Sequence, residues 1–266
     1  MLSSRSFQAA GVAIAKNVRT GERALLLKRI VNRLGRPYGI NPFPRAFENP
    51  LVEEADGRSG IFERIFVTNY WGCGESHSGV GSSALFTERY RQALAELLSE
   101  RNLKRIFDAP CGDMNWMSTF LAENTFEYAG GDISPSVVAA ANRRFPGADV
   151  RVFDICTDAF PPADVWHCRD CLFHLPFADI EQAFQNFLEA GIPYALLTTH
   201  RARLLHRNLD VNAGGFRYLD LERPPISLPA ALCYLPDYHQ GREFPRFVGL
   251  WRREAIAAAL DIKRER

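Results

Sequence analysis

The sequence predicts an α/β fold, a mostly parallel sheet flanked by helices, and three observations predict it. Short apolar runs suited to strands alternate with helical periods from Arg105 to Thr199. Three of the first four such runs close on an aspartate or just before one. A chain of 266 residues, 47% hydrophobic and 24% charged, has enough apolar surface for one full core plus a modest N-terminal addition.

Taken in order, the chain begins with a basic arm. Arg5, Lys16, Arg19, Arg23, Lys28, Arg29, Arg33, Arg36 and Arg45 face only Glu22 before residue 46. Two helices are expected there, Phe7 to Val18 and Arg23 to Leu34, broken near Thr20-Gly21 and ended by Gly35-Arg36-Pro37. Such an arm suits docking on an anionic surface, a membrane leaflet or a biosynthetic partner enzyme, or packs as a solvated extension. The apolar run Phe7 to Ala15 is short and holds Gln8, which argues against a secretory signal. Phe43 to Gly60, rich in Pro, Gly and acids, reads as a linker, so residues 1–60 form the arm and 61–266 the main domain.

Leu85, Phe86, Tyr90, Ala93, Leu94, Leu97 and Leu98 recur at helical spacing within Ser82 to Glu100, behind a serine cap. Then follow Arg105 to Asp108 extended, Asn115 to Glu123 helical, Tyr128 to Asp132 extended, Pro135 to Phe145 helical, Val150 to Asp154 extended and Asp164 to Cys168 extended. Helix Ala178 to Ala190 and strand Tyr194 to Thr199 continue the pattern, and the step from Asp154 to Asp164 leaves room only for a very short crossover. Beyond Thr199 an antiparallel end to the sheet is expected, including Phe247 to Trp251, with a last helix from near Arg253.

In open α/β sheets ligands bind beyond the carboxyl ends of the strands, where strand order reverses. Asp108, Asp132 and Asp154 close the first three strands, which suits a nucleoside: one carboxylate for ribose hydroxyls, another for an adenine amino group. A dinucleotide would also need a glycine-rich approach for its pyrophosphate. The first turn offers only Gly112 beside Asp113, whose charge repels phosphate and attracts an ammonium group. A cationic amino-acid nucleoside therefore fits better than NAD.

The run Ile106-Phe-Asp-Ala-Pro-Cys-Gly-Asp-Met-Asn-Trp116 resembles the first motif of class I S-adenosylmethionine-dependent methyltransferases, with Pro110 and Met114 where the family turn usually has its outer glycines. Asp108 to Trp116, Cys168 to Leu175 and Thr68 to Gly79 together resemble a narrower group found with bacterial polysaccharide genes. The resemblance implies a Rossmann-like, seven-stranded methyltransferase fold, to which the basic arm adds an N-terminal helical extension. It implies S-adenosylmethionine as cofactor: Asp132 for the ribose, Asp154 and Ile155 for the adenine, Gly112 and Asp113 for the methionine part. Asp108, Pro110 and Ile133 complete the expected contacts, and Arg169 is expected to meet the cofactor carboxylate or pair with an acid. The acceptor it implies is a sugar hydroxyl in polysaccharide or glycan assembly. Methylation of another small molecule at oxygen or nitrogen, or non-catalytic cofactor binding, is the alternative. Separately, six cysteines without the density of a secreted disulfide scaffold suit a reducing cytoplasm.

A hydroxyl acceptor profits from a general base near the strand ends. His174, six residues past the fourth strand, is the first candidate, and Asp170 is the second, as base or as the group that orients the imidazole. Tyr70 and Trp71 lie in a Gly- and Ser-rich segment, Tyr70 to Ser83, able to act as a lid. His77 and His200 sit in loops that could reach an acceptor. Trp116, Phe173, Arg217 and Tyr218 suit the walls of its pocket. Cys168 and Cys171 form a single pair without a second, so no metal is expected. Basic residues are not interleaved with aromatics, which disfavours a nucleic-acid partner.

Overall fold

A computed structural model describes residues 24–52, 57–237 and 244–264 of the chain. The expected helix over Phe7 to Val18 lies outside the described residues. Helix α1 runs through 24–35 and passes into a short 3-10 turn at Arg36–Tyr38, where Pro37 limits continuation and Gly39 adopts φ +71°.

Seven strands form one sheet: β1 (Arg105–Asp108), β2 (Glu127–Asp132), β3 (Asp149–Val152), β4 (Val165–Cys168), β5 (Tyr194–His200), β6 (Cys233–Pro236) and β7 (Arg246–Arg252). Their order is β3-β2-β1-β4-β5-β7-β6. The first five are parallel, and β7 runs antiparallel to both β5 and β6. Chain direction across the sheet reverses between β1 and β4, so the crevice beyond their carboxyl ends is where a ligand is expected. The β3–β4 crossing contains no helix. It is held instead by Phe153 and Phe160, whose rings pack edge-on against Phe107 at 4.9 and 5.4 Å.

Helices α3 (Ala84–Glu100), α4 (Met117–Glu123) and α5 (Pro135–Arg144) cover one face, around Tyr90, Leu94, Ile106, Phe120, Val165 and Leu250. On the other face α6 (Phe177–Ala190) and α7 (Arg253–Arg264) close over Phe107, Trp166, Phe184, Phe187 and Trp251. Neighbouring residues such as Ile106 and Phe107, or Val165 and Trp166, go to opposite faces, as the strand period requires. The fold is thus Rossmann-like and flanked by helices on both faces, and no described helix is long and apolar enough to cross a membrane.

Helix α2 (Gly57–Val67) spans residue 61, where the main domain was expected to begin. Its Ile61 and Ile65 are buried with Ala213. Its Glu63 carboxylate accepts from the Ser134 hydroxyl at 2.5 Å, from the Ser136 N–H at 3.0 Å and from the Ser136 hydroxyl, which ties α2 to the start of α5. The stretch before α2 is laced to the loop after β5 by a bridge between Phe47 and Phe216 and by Asn49 bonding Asn212.

Candidate active site

Asp108 and Asp132 are the last residues of their strands, Asp154 lies two residues beyond its own, and all three line one cavity. Asp108, at the end of β1, is buried; its Oδ1 lies 2.6 Å from His167 Nδ1, and its Oδ2 accepts from the Tyr128 hydroxyl at 3.0 Å. His167 Nε2 in turn meets the Tyr90 hydroxyl at 2.8 Å, so the imidazole bridges two buried groups. Asp132, at the end of β2, accepts from Gly112 N–H at 3.2 Å and Ser134 N–H at 3.0 Å. Burial pushes its carboxyl up to about 6, against the pull of those two N–H groups. Gly112 holds φ +59°, and a Cβ there would come within 2.9 Å of Ser78 Oγ, so both conformation and contact demand glycine.

Asp154, two residues past β3, accepts from Cys156 N–H at 2.9 Å and pairs with Arg58 of α2 at 2.8 Å. Arg58 also reaches Asp179 at 2.9 Å and is held above its ordinary value, since hydrogen bonding and charge from Asp154 and its neighbours outweigh burial. Arg58, Phe62 and Phe66, four residues apart on one face of α2, roof the cavity. Pro110, Ile133 and Ile155 line it beside the aspartates.

His174 lies on the 3-10 turn Leu172–His174 beyond β4, half-buried, its ring stacked on Trp71 at 4.8 Å between centroids. Its Nδ1 is 2.5 Å from the Gly215 carbonyl. A carbonyl only accepts, so Nδ1 carries the hydrogen and Nε2 is left with the lone pair. Burial lowers its pKa to about 4, the Gly215 bond opposing, so the imidazole is neutral at physiological pH. Gly215, not Asp170, orients the ring.

Asp170 also lines the cavity, at φ +55°, a left-handed conformation that aspartate tolerates better than most residues. Its carboxylate faces Arg169 at 3.5 Å and Arg246 at 3.4 Å. Arg169 is buried, donates to the Gly81 carbonyl and to Asp237, and stacks over Tyr90 and Trp116. Arg169 thus pairs with an acid, one of the two roles expected for it, and it also lines the cavity. Asp170 and Asp237 hold its pKa up against burial.

The other expected residues divide. Trp71 and Trp116 line the cavity. Asp113 does not: it is buried behind the turn, where Oδ1 accepts from Ser76 Oγ at 2.8 Å and Oδ2 lies 3.6 Å from Arg144. Asp108 is the first-turn acid that faces the cavity. Tyr70 is exposed, and His77 is turned to the Phe66 carbonyl. Phe173 and His200 are buried in an aromatic layer with Phe216, and burial lowers the pKa of His200. Arg217 is buried with its guanidinium 4.7 Å over the Phe177 ring, and burial brings it down to about 10. Tyr218 stacks on Phe244. The segment expected as a lid is stitched to the first turn: Asp113 N–H donates to Ser78 Oγ at 3.0 Å, and the Asn115 amide to the Ser82 carbonyl at 2.9 Å.

No protein-family model matches the chain, and no curated protein matches its sequence. Among solved structures it is similar to the magnesium protoporphyrin IX methyltransferase (ChlM) of Synechocystis PCC 6803 with bound SAM. That match has a TM-score of 0.51 at 13% identity and covers 76% of this chain and 100% of the other. The methyltransferase domain of bacterial CtHen1 matches with a TM-score of 0.48 at 16% identity, over 63% of this chain and 98% of that one. The fold assignment rests on the first: the chain has the Rossmann-like fold of class I S-adenosylmethionine-dependent methyltransferases.

Proposed function

We propose that this chain is an S-adenosylmethionine-dependent methyltransferase that methylates a sugar hydroxyl during polysaccharide or glycan assembly. One observation carries the reading: Asp108, Asp132 and Asp154 line a single cavity together with a neutral His174 whose Nδ1 hydrogen is already committed. The donor set fits an adenosyl group. Each oxygen of Asp132 gives one lone pair to a backbone N–H and keeps another for a ribose hydroxyl, while Asp154 stands at the far side for the base.

When bound, S-adenosylmethionine supplies an electrophilic methyl group on a sulfonium. The chain's part is to hold the acceptor in line, exclude water and take a proton. Nε2 of His174 accepts the hydroxyl proton of the acceptor. Phe62, Phe66 and Trp71 wall this side of the cavity, and their flat apolar faces suit the apolar face of a sugar ring. Asp170, between two arginines, fixes the strand end rather than moving a proton.

The test is calorimetry with S-adenosylhomocysteine, followed by transfer from labelled S-adenosylmethionine to a panel of sugars, nucleotide sugars and non-sugar acceptors. Binding together with a methyl ether on a sugar supports the reading. Absence of binding by folded protein overturns the cofactor. Labelling confined to non-sugar acceptors overturns the acceptor class.

A further inference from the structure

Helix α1 is built inside out for a helix that packs on a soluble domain. Asn32 is buried and faces inward, donating through Nδ2 to the Phe43 carbonyl at 2.5 Å and accepting from the Phe43 N–H at 3.2 Å. The aliphatic residues face outward. Leu26, Ile30 and Leu34 form one row at a spacing of four, Leu27 and Val31 a second, and at about 100° per residue the two rows share an arc of about 140°. Leu26, Leu27 and Leu34 are 57%, 62% and 68% exposed. Contiguous apolar patches of this kind on a soluble surface mark a contact.

Charge identifies what makes that contact. Lys28 and Arg33 flank the apolar rows and, with Arg29, Arg36, Arg45 and Arg207, line a groove beside the helix. No acidic side chain lines it among the described residues. Several of these cations rest on aromatic rings, Lys28 over Phe43 at 5.4 Å and Arg36 over Tyr218 at 5.2 Å, which orient them without neutralising them. A second copy placed on the face would bring these cations against their own counterparts. Residues 1–23 are no better a cover, since Arg5, Lys16, Arg19 and Arg23 outnumber Glu22.

We infer that α1 is an interfacial anchor that lays Leu26, Ile30, Leu34, Leu27 and Val31 into a membrane of anionic lipids, whose headgroups the groove cations hold. An in-plane helix with an apolar face and a cationic border is the arrangement such surfaces bind. The groove's Tyr218 ring is 5.4 Å from Phe216, itself 6.0 Å from His174, so the docked surface would lie two aromatic layers from the base.

The test is cosedimentation of the full chain with vesicles of phosphatidylcholine alone or mixed with phosphatidylglycerol. The two flanking cations, Lys28 and Arg33, at about 1 kcal/mol each predict about 30-fold stronger binding to the anionic vesicles, reduced by salt. Leu26→Glu with Leu34→Glu should lower that affinity tenfold or more, and Lys28→Glu with Arg33→Glu should abolish the preference for anionic lipid, with circular dichroism and melting temperature unchanged in both. Absence of vesicle binding overturns the inference, as does equal affinity for the two compositions. A dimer in light scattering that Leu34→Glu disperses, without vesicle binding, assigns the face to a second copy and overturns it as well.

Discussion

Lowering the pH from 7 to 5 is expected to weaken binding of S-adenosylhomocysteine about tenfold, and Asp132 sets the size of that effect. Burial raises its carboxyl to about 6, while Ser134 and Gly112 N–H groups pull the other way. Ionised, it accepts through every free lone pair; protonated, one oxygen becomes a donor and no longer suits two hydroxyls. With a pKa near 6 the ionised share falls from roughly ten in eleven at pH 7 to roughly one in eleven at pH 5. If the bound carboxylate stays ionised, the loss is about tenfold, or ~1.4 kcal/mol. His174, lowered to about 4, stays neutral through this window and contributes nothing. Titration calorimetry at pH 7, 6 and 5 measures it. Asp132→Asn, which cannot ionise, should bind more weakly throughout and show a flat profile. Equal wild-type affinity at pH 7 and pH 5 refutes the assignment of Asp132 as acceptor of the ligand's hydroxyls.

Other expectations follow from the neighbouring residues. His174→Ala should leave S-adenosylhomocysteine affinity unchanged and slow turnover by ~10²-fold or more, read as kcat at saturating cofactor; full activity would remove its role as base. In the wild type, kcat/KM for the cofactor should fall as pH drops through about 6 while kcat holds down to about 5, because His174 titrates lower than Asp132. Asp237→Ala strips the carboxylate shared by Arg169 at 2.7 Å and Arg246 at 3.0 Å. Leaving buried guanidinium groups short of a counter-charge should cost about 3–5 kcal/mol in urea unfolding.

Much of this architecture is legible in the sequence because its punctuation is local. Strand β1 ends at Asp108, helix α5 starts at Pro135 behind Ser134, and α7 starts at Arg253, all at positions that period and capping residues predict. The short edge strand β6 is not foreseen: Cys233–Pro236 ends in proline, and its partner β7 lies across a loop, so pairing rather than propensity makes it a strand. The cavity floor is legible for the same reason as the strands, since Asp108, Asp132 and Asp154 sit at strand ends. Its roof is not, although the signal exists in Arg58, Phe62 and Phe66, spaced by four, because the helix that carries them begins inside the stretch Phe43 to Gly60, whose Pro and Gly content suggests a linker. His167 is missed because it lies inside Val-Trp-His-Cys, where nothing local distinguishes a bridging imidazole from a core side chain. Asp113 shows the opposite limit: a charge in the right turn can still point the wrong way, drawn by Ser76, 37 residues upstream, and by Arg144.

The buried aspartate also links the site to the stability of the fold. An unfolded chain holds this carboxyl near its ordinary value of about 3.9, whereas the folded protein raises it to about 6. Between those values the folded state binds a proton that the unfolded state does not, so stability falls as pH rises through about 6. Below about 4 both states are protonated and nothing is lost; above about 6 the full penalty, about 3 kcal/mol, applies. At neutral pH the folded protein thus carries an ionised, desolvated carboxylate, and a ligand whose hydroxyls bond it offsets that cost. Urea unfolding of the empty protein should therefore show Asp132→Asn gaining on the wild type between pH 5 and pH 7. Saturating S-adenosylhomocysteine should stabilise the wild type more at pH 7 than at pH 5. A constant gap between variant and wild type across this range would mean that Asp132 is not ionised at a cost, and that its strand end is an ordinary turn rather than a site held ready for hydroxyls.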